Sequence, residues 1–128
     1  MNKTTIKPIG AAPAVGPYSQ AVRLGSLLFC SGQIPINPEN GTLVEGGVAE
    51  QTTQVLENIQ IILADQRLDF SHVVKTTVFM TDLARFAQMN EVYAKYFTTH
   101  FPARSTVQVA ALPKGAAVEI EVIAHYPA

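Results

Sequence analysis

The chain has 128 residues, 48% hydrophobic and only 15% charged, with a formal net charge of −1. That length fits one domain over residues 1–128, able to bury a core without disulfides, and so few charges point to surface covered in an oligomer. The near-neutral balance argues against an unaided nucleic-acid reader, which needs clustered Lys and Arg. The single cysteine, Cys30, cannot form an internal disulfide. The stretch Met1 to Pro8 has no apolar signal core, and no apolar run nears the ~20 residues of a membrane span. A cytoplasmic location without membrane contact is the expectation.

Taken in order, residues 1–17 carry Pro8, Gly10, Pro13, Gly16 and Pro17 and read as an irregular arm with a short strand near Thr5 to Lys7. Tyr18 to Leu24 and Leu27 to Ser31 flank Gly25-Ser26, the composition of a two-residue hairpin turn. Gly32-Gln33-Ile34-Pro35 ends the second strand, and Ile36 to Gly47 is a long loop with its own Asn40-Gly41 turn. The period then changes. Val48, Thr52, Val55, Leu56, Ile59, Ile62 and Leu63 fall on one stripe of a helix running to Gln66, opposite Glu50, Gln54, Glu57 and Gln60. Asp69-Phe70-Ser71 breaks it, and His72 to Met80 is β-branched and strand-like. Asp82 is the N-cap of a second helix, Leu83 to Thr98, with the inner stripe Phe86, Met89, Tyr93 and Phe97.

Two strands close the chain. From Ser105 the residues alternate, so Ser105, Val107 and Val109 share one face and Arg104, Thr106 and Gln108 the other. Val118 to Tyr126 turns Val118, Ile120, Val122 and Ala124 inward and puts Glu119 and Glu121 on the opposite face. The order β-β-α-β-α-β-β predicts a two-layer α+β domain, a single mixed sheet of about six strands with two helices on one face. The uncovered face is expected to carry Arg104, Thr106, Glu119 and Glu121, with a neighbouring protomer covering it.

An arginine for an anion and a glutamate for a proton are the minimum kit for cofactor-free chemistry on a small carboxylate. At Arg104 a structural salt bridge with Glu121 is an equal reading. At Glu119 and Glu121 the plainer reading is an exposed strand face, and at Tyr18 a core aromatic. His72, His100 and His125 show no ligand spacing, and one cysteine cannot build a zinc site, so no metal is expected. Gly46-Gly47 matches neither the phosphate-loop nor the dinucleotide fingerprint. Ser31 has no histidine nearby in sequence to make it a nucleophile, and Cys30 reads as buried filler.

Several separate stretches occur in order over essentially the whole chain: Gly16-Pro17-Tyr18-Ser19-Gln20-Ala21, Ser31-Gly32-Gln33-Ile34-Pro35, Val74-Lys75-Thr76-Thr77-Val78-Phe79, Asn90-Glu91-Val92-Tyr93, Pro102-Ala103-Arg104-Ser105 and Ile120-Glu121-Val122-Ile123-Ala124. Together they resemble the Rid family (reactive intermediate deaminases, also called YjgF or endoribonuclease L-PSP). The resemblance implies a chorismate-mutase-like α+β fold and a homotrimer with ligand sites between protomers. It also implies cofactor-free hydrolysis of 2-aminoacrylate, 2-iminobutanoate and related imino acids to 2-oxo acids and ammonia, which protects pyridoxal-dependent enzymes. The implied active site falls on Tyr18, Ser31, Arg104 and Glu119. Arg104 would grip the substrate carboxylate, with backbone N–H groups near Gly32 and Thr106 assisting. Many members of the deaminase subfamily have cysteine where this chain has Thr106.

Two other functions stay open. One is a non-catalytic module that holds a 2-oxo acid or another small carboxylate. The other is the ribonuclease or translation inhibitor of the family's older name, which the charge balance disfavours. Were the last two strands a hairpin, Glu119 would lie about five residues, or ~17 Å, along from Arg104. An intervening strand would separate them by two strand spacings. Either way, the expectation is a cleft combining groups from neighbouring protomers.

Overall fold

Residues 2–128 are described by a computed structural model. The chain begins with an antiparallel meander: β1 (Thr4–Ile6), β2 (Ala21–Leu24) and β3 (Leu27–Gln33). Gly25 turns the β2–β3 hairpin at a φ of 61°, a left-handed conformation that a side chain would disfavour. Helix α1 (Val48–Asp65) follows, then β4 (Val73–Met80), helix α2 (Phe86–Tyr96), β5 (Ala103–Gln108) and β6 (Val118–His125). The six strands form one mixed sheet in the order β1-β2-β3-β6-β4-β5. Strand β6 inserts between β3 and β4, antiparallel to both, while β5 runs parallel to β4 on the sheet's edge. A parallel neighbour needs a crossover, and α2 supplies it.

The 3.6-residue stripe of α1 is buried as the sequence predicts, with Val55, Leu56, Ile59, Ile62 and Leu63 all at 0% exposure. It packs on α2, β3 and β6. At its start the Glu50 carboxylate accepts the Gly47 N–H at 3.1 Å, satisfying one of the donors a helix leaves open. Because Ile59 sits at the centre of this layer, Ile59→Ala is expected to cost about 2–5 kcal/mol through lost burial and the cavity left behind. Urea unfolding would show a lower midpoint at an unchanged slope.

Several boundaries differ from the sequence expectation. Tyr18 to Gln20 are not strand; they close the irregular arm, and β2 begins at Ala21. Strand β3 runs on to Gln33, with a break in register between Cys30 and Gln33. Asp82 does cap, accepting the Ala84 N–H at 2.9 Å, but what it caps is a 3₁₀ turn over Leu83–Arg85. The α-helix proper is therefore shorter than Leu83 to Thr98. It stops at Tyr96 because Phe97 turns extended and stacks on Tyr93, their ring centroids 4.4 Å apart.

The larger correction concerns faces. Side chains of residues paired across a sheet point the same way. Thr76 and Val78 are fully buried beneath the helices, and their β5 partners are Arg104 and Thr106. Arg104 and Thr106 thus lie on the helix side. Glu119 and Glu121 pair with Phe79 and Thr77 and do lie on the open side, beside Phe29 and Val107, which are 39% and 42% exposed. Among the described residues no helix is long and apolar enough to cross a membrane.

Candidate active site

The register break in β3 shapes a cavity of about 400 Å3 between β3, the N-terminal arm and the turn before β6. Tyr18, Ser31, Gly32, Lys114 and Glu119 are among its lining residues. Gly32 is there because a Cβ would come within 2.6 Å of Glu119 Oε2, so only glycine lets that carboxylate lie against the main chain. Burial, and then the charge of Glu121, pushes the Glu119 carboxyl above the ordinary glutamate range. A carboxyl so placed holds its proton more readily than an exposed glutamate, which suits a group that must both take and return one.

The serine and tyrosine have opposite polarity. Ser31 Oγ donates to the Ser19 carbonyl at 2.6 Å, and a carbonyl can only accept. Its proton is therefore committed, no base is at hand to make it a nucleophile, and lone pairs are all it offers the cavity. Tyr18 does the reverse. Its oxygen accepts the Val15 N–H at 3.4 Å, leaving the phenolic proton free to donate from a half-exposed position on the rim. Cys30, behind Ser31, is buried, and burial pushes its thiol up to about 12, which makes it inert.

Arg104 occupies a second hollow, of about 570 Å3, lined also by Asn90, Tyr93, Ala94, Phe97, Phe101 and Pro102. Its Nη1 donates to Asn90 Oδ1 at 2.7 Å. The guanidinium carbon lies 4.8 Å from the Tyr93 ring centroid and 5.4 Å from that of Phe86. Tyr93 is held in turn by a 2.9 Å hydrogen bond with Thr76 Oγ1. Burial pushes its phenol up, so the ring stays a neutral platform. The partner of Arg104 is therefore a neutral amide rather than Glu121, and the full positive charge remains available to a ligand.

Asn90 was not singled out for a role from the sequence, though a signal was present. It lies one turn from both Phe86 and Tyr93, a polar residue beside an apolar helical stripe. Thr106 lines neither hollow, and its Oγ1 is buried with no hydrogen-bond partner among the described residues.

Tyr18, Ser31, Gly32 and Glu119 thus meet in one place, and Arg104 is elsewhere. Thr76 pairs with Arg104 on one side and Val122 on the other, so Arg104 is two strands and about 10 Å across from β6. Glu119 lies further along β6 and faces the other way. No side-chain rotation within one chain brings the guanidinium to that carboxyl. Among the described residues no group of three or more His, Cys, Asp or Glu side chains converges on a point.

These features define a small two-layer α+β protein with an arginine cradle beside α2 and a separate glutamate-lined cavity between β3, the N-terminal arm and the turn before β6. Residues 9–126 match the family Endoribonuclease L-PSP, and the chain belongs to that family, which includes the Rid and YjgF proteins. Protein DfrA of Myxococcus xanthus is 52% identical over 126 residues, covering 97% of this chain and 96% of that protein. Human 2-iminobutanoate/2-iminopropanoate deaminase is 48% identical over 122 residues, 95% of this chain and 89% of its own. The crystal structure of Escherichia coli TdcF with bound serine superposes with a TM-score of 0.90 at 44% identity, covering 97% of this chain and 99% of that one. The single mixed sheet with two helices is the fold of this family.

Proposed function

We propose that this protein hydrolyses reactive enamine and imine intermediates, 2-aminoacrylate and 2-iminobutanoate among them, to 2-oxo acids and ammonia. In this role it protects pyridoxal-dependent enzymes in the cytoplasm. It works as a homotrimer in which Arg104 of one protomer meets the cavity of the next. The observation that carries this reading is the division of the site into two preformed and separately incomplete halves. One offers a guanidinium and no carboxyl; the other offers a carboxyl, with Lys114 on its lining, and no guanidinium. Support comes from the name of the human relative and from the serine held by TdcF, a small amino acid with the carboxylate this chemistry requires.

The chemistry follows from the groups present. A protonated imine carbon is already electrophilic, so the protein needs only to orient the acid and place a water. Arg104, aimed by Asn90 and the two rings, grips the carboxylate through its remaining N–H groups, with the backbone N–H groups near Gly32 and Thr106 assisting. An enamine enters as its imine tautomer, its C3 protonated from solvent. Glu119 takes a proton from water as the oxygen adds to the iminium carbon and gives it to the nitrogen. As the C–N bond breaks and C=O forms, the hydroxyl proton returns to Glu119, which releases it to the departing ammonia or to solvent. Ammonia and the 2-oxo acid leave. Ser31, offering only lone pairs, faces an N–H of the substrate or the water, while Tyr18 donates.

Coupling the protein to a threonine dehydratase and following 2-oxobutanoate release tests the activity, with wild-type rates expected above the uncatalysed background. Release at the background rate would overturn it. Binding of 2-oxobutanoate without turnover would favour the second reading, a small-carboxylate sensor, since the Arg104 cradle alone suffices for that. The shared site has its own test. Mixing Arg104→Ala and Glu119→Ala chains at random should restore about a quarter of wild-type activity, because one seam in four then pairs an intact arginine with an intact glutamate. No recovery would count against the shared site. A ribonuclease role finds no support in a formal net charge of −1.

A further inference from the structure

The arm that carries Tyr18 has few ties to the rest of the molecule. Gly10 and Gly16 hold φ values of 86° and 124°, and Val15 is 72% exposed. Near its start the Ile9 N–H reaches Asp65 Oδ1 at 3.1 Å. At its other end Ser31 holds the main chain, through its N–H to the Gln20 carbonyl at 2.9 Å and its Oγ to the Ser19 carbonyl at 2.6 Å. The side chain that reaches from there to the middle of the arm is Gln20. Gln20 is only 9% exposed, and its Nε2 donates to the Ala12 carbonyl at 2.6 Å. Its Oε1 accepts from Gln33 Nε2 at 2.9 Å, and that same nitrogen donates to the Ser31 carbonyl at 3.2 Å. An unbroken relay therefore runs from β3 beside Ser31, through the half-buried Gln33 amide and the buried Gln20 amide, to the middle of the arm.

We propose that Gln20 is a positioning residue for Tyr18, holding the arm over the cavity so that the Tyr18 hydroxyl faces the reacting groups. The requirement on this side chain is narrow. It must donate to one oxygen and accept from one nitrogen at the same time, without charge, in a place with little water. A primary amide does this, and the reach from the base of the arm to Ala12 selects glutamine. In Gln20→Glu the shape and the acceptor survive, but the donor becomes an oxygen set against the Ala12 carbonyl. Gln20→Met removes both bonds at similar size.

The kinetic part rests on the deaminase reading; the exchange part does not. Hydrogen exchange over residues 9–18 and steady-state kinetics would be measured on full-length wild type, Gln20→Glu, Gln20→Met, Tyr18→Phe and the Gln20→Met/Tyr18→Phe double variant. Exchange in the arm is expected to quicken about tenfold in both Gln20 variants while β4 and β6 stay protected. The kcat of each is expected to fall about tenfold with KM little changed, as for Tyr18→Phe. The double variant should be no worse than the poorer single one, because both act through the same hydroxyl. A purely structural glutamine would give multiplying effects, and that result, or unchanged arm exchange, overturns the proposal. If Gln20→Met does not fold, Gln33→Met cuts the relay one step back and is read the same way. Should wild type show no turnover, the deaminase reading fails, while arm exchange still decides whether the relay holds the arm.

Discussion

Removing the guanidinium in Arg104→Ala is expected to lower kcat/KM for imine hydrolysis by about 10²–10³-fold, from the ~3–4 kcal/mol that a desolvated, two-pronged contact to a carboxylate supplies. Arg104→Lys is expected to recover little of this. An ammonium is a point charge without a fork, and it cannot bond Asn90 and span a carboxylate edge together. Asn90→Asp separates charge from shape. The carboxylate would keep the arginine in place, and folding with it, but it would cancel the charge the ligand needs, so KM should rise while the melting temperature holds. The measurement is steady-state kinetics beside thermal unfolding for all three variants. Arg104→Ala retaining wild-type kcat/KM would sink the assignment of this side chain to the ligand carboxylate.

Gly32→Ala carries the second large effect, and it should come almost without cost to folding. The backbone there is not in the left-handed region, so alanine is no strain, and what its methyl would meet is the far end of the Glu119 side chain. The carboxylate must swing away. Activity should therefore fall about as far as in Glu119→Gln, roughly 10²-fold or more for a lost general acid–base group, with little change in melting temperature. Near-wild-type turnover in Gly32→Ala would show that the close approach is not where Glu119 works.

Glu119→Gln also has a pH signature. The folded-state pKa is raised, first by burial and then by Glu121, so the folded chain holds this proton to higher pH than the unfolded chain. Its contribution to stability is full below the unfolded value, about 4.3 for glutamate, and is lost as pH rises through the folded one. At pH 7 the neutral amide should therefore melt no lower than wild type, and any advantage should vanish on acidification through that window. A variant that melts lower at pH 7 than at pH 4, relative to wild type, would contradict the sign.

What was legible in the sequence were the local periods. The α1 stripe from Val48 to Leu63, the inward Val118, Ile120, Val122 and Ala124, and the Gly25-Ser26 turn all stand as read. Each is set by neighbours within a turn or a strand pair. The tyrosine, serine and glycine of the cavity lie within motifs of the sequence and Glu119 comes from the resemblance those motifs carry, although no period could show that β3 breaks register near Gly32 to admit a carboxylate. The end of α2 falls short of the periodic expectation because Phe97 leaves the helix to stack on Tyr93, a contact that spacing alone does not rank above another helical turn.

By itself the chain's order of residues determined the elements, their number, and which side chains share a face of each. It could not determine which face of β5 meets which layer. Alternation divides Arg104, Thr106 and Gln108 from Ser105 and Val107, but both sets are equally compatible with either side of the sheet. The choice is made by the parallel pairing of β5 with β4, where Thr76 and Val78 are already committed to the helices. That pairing joins segments separated by all of α2, and it sends the arginine to one face while β6 keeps its glutamate on the other.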